Sequence, residues 1–218
     1  MMYENEKDYK VIIRDGIKMI NAGGLTHPGG YHIDSPHYNL EIDLFNSVLD
    51  NIEGKEDPIM IEVGSFWAWW SLMFRKRSPR GRNIIVEYAK AQLRCGEKNF
   101  EINGYDFVSY HAGMGIEYTT QKSVTDLAGN ITLEEIIADN KLKLIDILHM
   151  DIQGSELAVV KSIRSHLTNN FISNIVIATH GKEIHAEIVK ILLEEDYEVV
   201  HSLQIPGDDG QIYARARV

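Results

Sequence analysis

The sequence predicts an α/β fold in which helices cover both faces of a mostly parallel sheet. From residue 58 onward, short apolar runs alternate with longer amphipathic segments, which is typical of strands joined by crossover helices. The run IMIEV turns at Gly64 into a Trp-rich segment, as a buried strand does when it leads through a tight turn onto a helix. The chain ends with two apolar runs separated by IPGDDG, which predicts an antiparallel hairpin.

Composition and charge exclude several classes of protein. The chain has 218 residues, of which 44% are hydrophobic and 25% charged, as in ordinary globular proteins. A net charge of -10 repels phosphate backbones, so we predict no nucleic-acid partner. No apolar run approaches the roughly 20 residues that span a bilayer, so we predict no membrane partner. The lone cysteine, Cys95, favours a reducing cytoplasm. The number of subunits stays open.

Residues 1–55 are predicted to form an N-terminal extension of helices and a loop. Apolar residues between positions 5 and 22 fit an amphipathic helix that ends at Gly23 and Gly24. A second helix is predicted over 40–52. The Gly- and Pro-rich stretch between them reads as an ordered loop or lid. Its polar residues match no metal-binding template; they are His27, His32, Asp34 and His37.

Residues 56–218 are predicted to form one Rossmann-like domain. Seven strands with a reversed last pair are an arrangement found in Rossmann-like methyltransferases. Thr132 and Glu135 have the spacing of a capping box at a helix start. The predicted strands are 58–63, 83–87, 106–111, 144–151, 172–179, 197–204 and 211–217. The predicted helices are 67–76, 89–102, 132–140, 155–166 and 182–195.

The turn at Gly64 is the first candidate ligand site. It has one glycine where the dinucleotide fingerprint has three, so a pyrophosphate would lack backbone donors. A cofactor with a ribose and no phosphate fits better, and S-adenosyl-L-methionine is the common one. Glu87 ends the next strand, 23 residues after Gly64, where a carboxylate can accept hydrogen bonds from ribose hydroxyls. Alternatively, Glu87 is only a favourable charge at the next helix N-terminus. An NAD-dependent oxidoreductase and a non-catalytic cofactor-binding partner protein remain rival classes.

A second candidate site lies at the ends of two later strands. Asp151 closes KLIDILHMD, and His180 closes ISNIVIATH. If these strands are neighbours and the first lies beside 58–63, Asp151 faces the same crevice as Glu62 and can orient His180 as a base. The same pair would also suit a divalent metal, and a structural histidine is the third possibility. Glu156 fits either this site or the dipole of its own helix.

The chain resembles the FkbM family of S-adenosylmethionine-dependent methyltransferases from about Ile59 to Ala216. Four ordered blocks carry the resemblance: IEVGSFWAWWSL, IIVEYAKAQLRCGEKNFEING, TLEEII followed by IDILHMDIQGSELAVVKSI, and IATHGKEIHAEIVKILLEEDYEV. The third is the most specific, because the family has a similar strand that ends in Asp, followed by Gly and then Glu. Three residues depart from the pattern: Ala68 replaces a usual glycine, Tyr88 a common proline, and His149 a frequent lysine.

The resemblance implies methyl transfer to a hydroxyl on a sugar, polyketide or similar small metabolite. It places Glu62 near the methionine amine of the cofactor and Glu87 on its ribose. Asp151 and His180 would serve the acceptor, and no resident metal is predicted. The other implied cofactor contacts are Gly64, Ser65, Trp67, Ser71, Tyr88, His111 and Ala112, of which His111 and Ala112 would flank the adenine.

Overall fold

The structure, a computed structural model, describes residues 10–21, 36–115, 128–204 and 209–217. The described strands are β1 (Lys10–Arg14), β2 (Ile17–Asn21), β3 (Ile59–Val63), β4 (Arg82–Glu87), β5 (Val108–Gly113), β6 (Gly129–Asn130), β7 (Ile145–Met150), β8 (Ile172–His180), β9 (Tyr197–Gln204) and β10 (Asp209–Ala216). The described helices are α1 (Pro36–Asn51), α2 (Trp69–Arg77), α3 (Lys90–Asn103), α4 (Leu133–Asn140), α5 (Glu156–Ser162), α6 (Arg164–Thr168) and α7 (Lys182–Glu194).

The central sheet confirms the predicted class. Its strand order is β6-β5-β4-β3-β7-β8-β10-β9, and strands β3 to β8 pair in parallel. Strand β10 runs antiparallel to both β8 and β9, as expected for a reversed closing hairpin. The chain leaves β3 toward β4 on one side and returns to β7 on the other. The carboxyl ends of β3 and β7 therefore flank the switch point where α/β sheets bind ligands. The two-residue strand β6 is an eighth strand that the sequence did not predict.

Side chains alternate between the two faces of the sheet. Ile61 and Val63 of β3 belong to the large apolar cluster that includes residues of α4, α5 and α7. Met60, one position away, packs instead with Phe45 and Leu49 of α1. This period of two confirms that helices cover both faces. It also turns Glu62 toward the side of the sheet that α1 covers.

The predicted helix over 5–22 is wrong in its described part, because β1 and β2 form an antiparallel hairpin. Asp15 and Gly16 connect the strands with φ values of 48° and 75°. Two consecutive positive φ values are typical of a type I′ turn, for which Asp-Gly is a favoured sequence. Met19 is buried against the sheet domain, whereas Ile13 of the outer strand is 70% exposed. Residues 22–35, with His27, His32 and Asp34, lie outside the described residues, as does the side chain of His37.

The predicted helix over 155–166 is also corrected, since it is divided into α5 and α6. Ile163 separates them with φ −92° and ψ 10°, outside regular helical values. Ile163, Val160 and Leu167 are all fully buried. The change of direction at Ile163 thus keeps the apolar residues of both short helices in the core. Within the described residues, no helix combines the length and apolar character needed to cross a membrane.

The capping box at α4 is confirmed and gives a first testable prediction. The Glu135 N–H donates to Thr132 Oγ1, and the Thr132 N–H donates to Glu135 Oε2. Thr132→Ala should lower the free energy of unfolding by about 1 kcal/mol, because the Glu135 N–H at the helix N-terminus loses its hydrogen-bond acceptor. Urea denaturation followed by circular dichroism measures this change. Ser47→Ala, at an exposed interior position of α1, is the matched control and should cost nothing. Equal effects would contradict a capping role.

Candidate active site

A cavity of about 550 Å³ opens at the carboxyl ends of β3, β4, β5 and β7. This volume lies within the range of small-molecule sites. The predicted ligand residues that line it are Glu62, Gly64, Ser65, Trp67, Glu87, Tyr88, Ala112 and Asp151. The prediction that Asp151 and Glu62 face one crevice is therefore confirmed. Three further predicted residues, Ser71, His111 and His180, do not line this cavity.

Gly64 brings the ends of β3 and β7 into contact. Its φ is +77°, and a Cβ added there would lie 1.8 Å from the backbone oxygen of Asp151. The Asp151 N–H donates to the Val63 carbonyl at 2.9 Å, so the two backbones are held together at this point. The glycine is thus required by the neighbouring strand end, and not only by the close approach of a ligand that the sequence suggested.

The turn after Gly64 contains two further residues with positive φ. Phe66 has φ 44°, and Ala68 has φ 60°. Non-glycine residues in this region cost about 1–2 kcal/mol each. Ala68 occupies the position where the FkbM family, which the chain resembles, usually has glycine. The left-handed backbone of Ala68 gives the physical reason for that preference.

Glu62 is a buried carboxyl in the wall of the cavity. It is 1% exposed, and its Oε2 accepts a hydrogen bond from the Ser71 N–H at 3.1 Å. Burial raises its pKa to about 8, and the nearby carboxylates of Asp151 and Glu87 act in the same direction. A positively charged group in the cavity would stabilise the ionised form. Ser71 therefore supports Glu62 through its backbone instead of lining the cavity itself.

Glu87 connects the ends of the turns that follow β3 and β4. Its Oε2 accepts from the Phe66 N–H at 2.9 Å, and its Oε1 accepts from the Ala89 N–H at 2.8 Å. Burial is the main cause of its raised pKa, against which these hydrogen bonds act. Each carboxylate oxygen has a second lone pair, so Glu87 can still accept a ligand hydroxyl. The structure thus shows its contact with the N-terminus of α3, and the ribose contact stays a prediction.

Aromatic side chains form part of the remaining cavity wall. Trp67 stacks on Phe66 with ring centroids 4.5 Å apart, and both line the cavity beside Tyr88 and Ala112. His111 lies behind this wall, where its Nε2 contacts the Tyr88 carbonyl at 3.0 Å and links β5 to the turn after β4. The Oγ of Ser65 is buried without a hydrogen-bond partner among the described residues. A ligand acceptor at the turn would satisfy it.

Asp151, His180 and Glu156 form a chain of contacts that leads away from the cavity. His180 Nδ1 lies 2.8 Å from Glu156 Oε1, and its Nε2 lies 3.6 Å from Asp151 Oδ1. The hydrogen bond to Glu156 is the main cause of the raised pKa of His180, and Asp151 adds to it. Burial is also the main cause of a raised pKa at Asp151, which His180 opposes. The His180 ring therefore lies between two carboxyl groups, and Asp151 is the member that reaches the cavity.

Glu156 orients His180 and also shapes the turn after β7. Its Oε1 accepts from the Ile152 N–H, and both of its oxygens accept from the Gly154 N–H. Burial acts to raise the pKa of Glu156, but the bonds from His180 and Gly154 outweigh it, so the pKa lies below its ordinary value. The side chain is fully buried. Of its two predicted roles, support of the site is the one that these contacts favour.

The same trio has the ligand spacing for a divalent cation, since one ligand atom from each residue lies within 4.8 Å of the others. Glu156, however, already accepts hydrogen bonds from protein donors through both oxygens. A cation would have to displace the bond from His180, so the contacts favour an ion-pair network over a metal centre.

Sequence reasoning missed several residues of the cavity. Met19 comes from the hairpin that was interpreted as a helix, and Glu41 comes from α1. His149 departs from the family pattern at its position, and it pairs in register with Glu62 on the adjacent strand. Burial lowers the pKa of His149 to about 3, so the imidazole is neutral. Two features of the sequence indicate these residues. Asp-Gly is typical of a hairpin turn, and His149 lies two positions before Asp151, so the two residues belong to the same face of the strand.

The chemistry of these residues fits S-adenosyl-L-methionine. The cofactor carries a sulfonium and an ammonium group, and the cavity offers the carboxyls of Glu62, Glu87 and Asp151 in an aromatic surround. Its ribose and adenine need a carboxylate acceptor and apolar contacts, and the cavity is lined by the Glu87 carboxyl and by Tyr88 and Ala112. The unpartnered Ser65 hydroxyl is a further polar group at the turn.

Comparisons with known proteins agree with this assignment. A curated protein of Jannaschia sp. (strain CCS1), provisionally named a methyltransferase, is 24% identical over 208 residues, covering 80% of this chain and 72% of its own. The METTL16 methyltransferase domain superposes with a TM-score of 0.57 at 15% identity, covering 84% of this chain and 69% of that domain.

A second solved structure is the Pyrococcus abyssi tRNA (uracil-54, C5)-methyltransferase in complex with S-adenosyl-L-homocysteine. It superposes with a TM-score of 0.56 at 16% identity, covering 96% of this chain and 44% of that enzyme. These structures share the Rossmann-like methyltransferase fold. Residues 53–199 match the family described as the methyltransferase FkbM domain. The chain therefore belongs to the FkbM family of methyltransferases.

Proposed function

We propose that this chain transfers the methyl group of S-adenosyl-L-methionine to a hydroxyl group of a small metabolite, such as a sugar or a polyketide. The observation that carries the proposal is the carboxyl-lined cavity at the switch point, with Glu62 and Glu87 on either side of the Gly64 turn. The single buried thiol of Cys95, whose pKa burial raises to about 11, suits the reducing cytoplasm in which we place the reaction.

The cofactor end of the cavity follows from the chemistry of its walls. Glu62 pairs with the methionine ammonium, because its burial makes a cationic partner strongly favourable. Glu87 accepts the ribose hydroxyls, and Tyr88 and Ala112 cover the adenine. The backbone of Gly64 and the hydroxyl of Ser65 contact the amino-acid portion. When bound, the cofactor supplies an activated methyl group on a positively charged sulfur.

The acceptor end lies toward Asp151. Catalysis requires the acceptor oxygen to be aligned at about 3–3.5 Å and its proton to be removed. Asp151 reaches the cavity, and His180 lies behind it with its Nε2 3.6 Å from Asp151 Oδ1. His180 thus acts through Asp151, as a positioning residue.

The ribose assignment gives a prediction that separates ligand contact from loop support. Wild-type protein should bind adenosine about tenfold more tightly than 2′,3′-dideoxyadenosine, since hydrogen bonds to a carboxylate are strong. Glu87→Ala should remove this preference, as measured by isothermal titration calorimetry. Glu101→Ala, at an exposed position on α3, is the control and should preserve it. If Glu87→Ala weakens both ligands equally, Glu87 only supports the turns.

The reaction is tested by incubating the protein with methyl-tritiated S-adenosyl-L-methionine and a panel of sugars and other hydroxylated metabolites. Labelled ether products are the expected result. Label that is found only on nitrogen or carbon would contradict transfer to a hydroxyl. Failure of S-adenosyl-L-homocysteine to bind would contradict the proposal as a whole.

A further inference from the structure

A small chamber of about 40 Å³ adjoins the main cavity, between α1 and the ends of β7, β8 and β10. The two spaces share the walls Glu41, Trp70, His149 and Asp151. The chamber can hold roughly one to three water-sized groups. It therefore has room for the reactive end of a molecule whose bulk lies in the larger cavity.

Two residues that line the chamber carry buried polar atoms that the protein leaves unsatisfied. Gln211 and His149 are each 5% exposed. Among the described residues, Gln211 Oε1 and His149 Nδ1 have no hydrogen-bond partner. Such buried polar atoms are costly when unpaired. Two of them on residues that line one small chamber point to a ligand with its own donor or acceptor group.

Glu41 joins these two residues through a direct contact. Gln211 Nε2 donates to Glu41 Oε1 at 2.7 Å, across 170 positions of sequence. Burial raises the pKa of Glu41 to about 7, the bond from Gln211 opposes this shift, and the charge of Asp151 adds to it. Two other titratable groups line the chamber: His149 is neutral, and burial raises the pKa of Asp151 above its ordinary value. A carboxyl that ionises near neutral pH is well matched to proton removal.

We propose that this chamber receives the nucleophilic hydroxyl of the acceptor and that Glu41 removes its proton. The inference rests on the proposed methyl transfer. The acceptor oxygen forms a bond to the methyl carbon, the carbon–sulfur bond breaks with its electron pair on sulfur, and the hydroxyl proton passes to the Glu41 carboxylate. Gln211 holds that carboxylate in place as a positioning residue, and the unpaired atoms of Gln211 and His149 bind the acceptor.

The test needs no knowledge of the acceptor, because sinefungin carries an amine-bearing carbon in place of the methyl-bearing sulfur. Its ammonium extends toward the acceptor, whereas S-adenosyl-L-homocysteine has nothing there. The ratio of their dissociation constants cancels the contributions of Glu62 and Glu87, which both ligands share. We expect wild-type protein to favour sinefungin increasingly between pH 6 and pH 8, by about tenfold at pH 8. Calorimetry measures both constants.

Glu41→Gln should remove this preference and its pH dependence while S-adenosyl-L-homocysteine binds as before. The glutamine keeps an oxygen that can accept from Gln211, which preserves the local structure. Asp43→Asn, at an exposed position on the same helix, is the matched control and should behave as wild type. An unchanged preference in Glu41→Gln, or its loss in Asp151→Asn alone, would overturn the assignment of Glu41. If neither ligand binds wild-type protein, the proposed function fails and this inference fails with it.

Discussion

Replacing Gly64 with alanine is expected to lower the free energy of unfolding by about 3–5 kcal/mol and to abolish binding of S-adenosyl-L-homocysteine. The added methyl group would lie 1.8 Å from the Asp151 oxygen and 2.8 Å from its carbonyl carbon. Both are backbone atoms, and the Asp151 N–H donates a hydrogen bond to the Val63 carbonyl. Relief therefore requires β3 and β7 to separate at the point where Glu62 and Asp151 meet the cavity.

The control for this substitution is Gly104→Ala at the end of α3. Gly104 has φ +73°, almost the same as Gly64, but a Cβ there would have no atom within 4 Å. Gly104→Ala should therefore cost only the left-handed backbone penalty, about 1 kcal/mol. Urea denaturation compares the free energies of unfolding of the two variants, with one slope of free energy against urea concentration used for both. Equal losses in the free energy of unfolding would mean that the turn at Gly64 can shift to accept the added methyl group, and that the close approach to Asp151 does not affect stability.

The elements that the sequence predicted correctly are those with local signals. Glu62, Glu87 and Asp151 each end a short apolar run, and parallel strands bring their carboxyl ends to one edge. The strand pattern alone therefore predicts that these three side chains lie together. The order of contacts beyond them was not predictable. Whether Asp151 or His180 reaches the cavity depends on the turn that Glu156 holds through its hydrogen bonds.

The missed features depend on ambiguous periodicity or on distant contacts. Apolar residues at Ile17, Met19 and Ile20 fit a helical face nearly as well as a strand, and only the Asp-Gly turn between the two halves distinguishes them. Glu41 meets Gln211 across 170 positions. No local pattern indicates that pairing, because it arises when α1 packs over the sheet beside β10.

Binding of S-adenosyl-L-methionine should release a proton from Glu62. The pKa of this carboxyl is raised from an ordinary 4.5 to about 8, chiefly by burial, so it is mostly protonated in the free protein at pH 7. A bound ammonium favours the ionised form, and roughly nine-tenths of a proton should leave at pH 7. Calorimetric titrations in buffers of different ionisation enthalpy measure this release. Glu62→Gln should reduce the release by that amount and weaken binding by roughly tenfold to a hundredfold.

The same residue should make the stability of the free protein depend on pH. Between pH 4.5 and about 8 the Glu62 carboxyl is ionised in the unfolded chain and neutral in the folded protein. Its contribution to the free energy of unfolding is therefore complete below this range and is lost as the pH rises through it. Glu62→Gln lacks this contribution, and its free energy of unfolding should fall less than that of wild type between pH 5 and pH 8.5. Glu41→Gln provides the comparison, because Glu41 lines the same cavity yet its pKa is raised only to about 7. Glu62→Gln could instead leave both the pH dependence of stability and the proton release unchanged. That result would mean that Glu62 is already ionised in the folded protein. The proposed pairing of a protonated, buried Glu62 with the methionine ammonium would then be wrong.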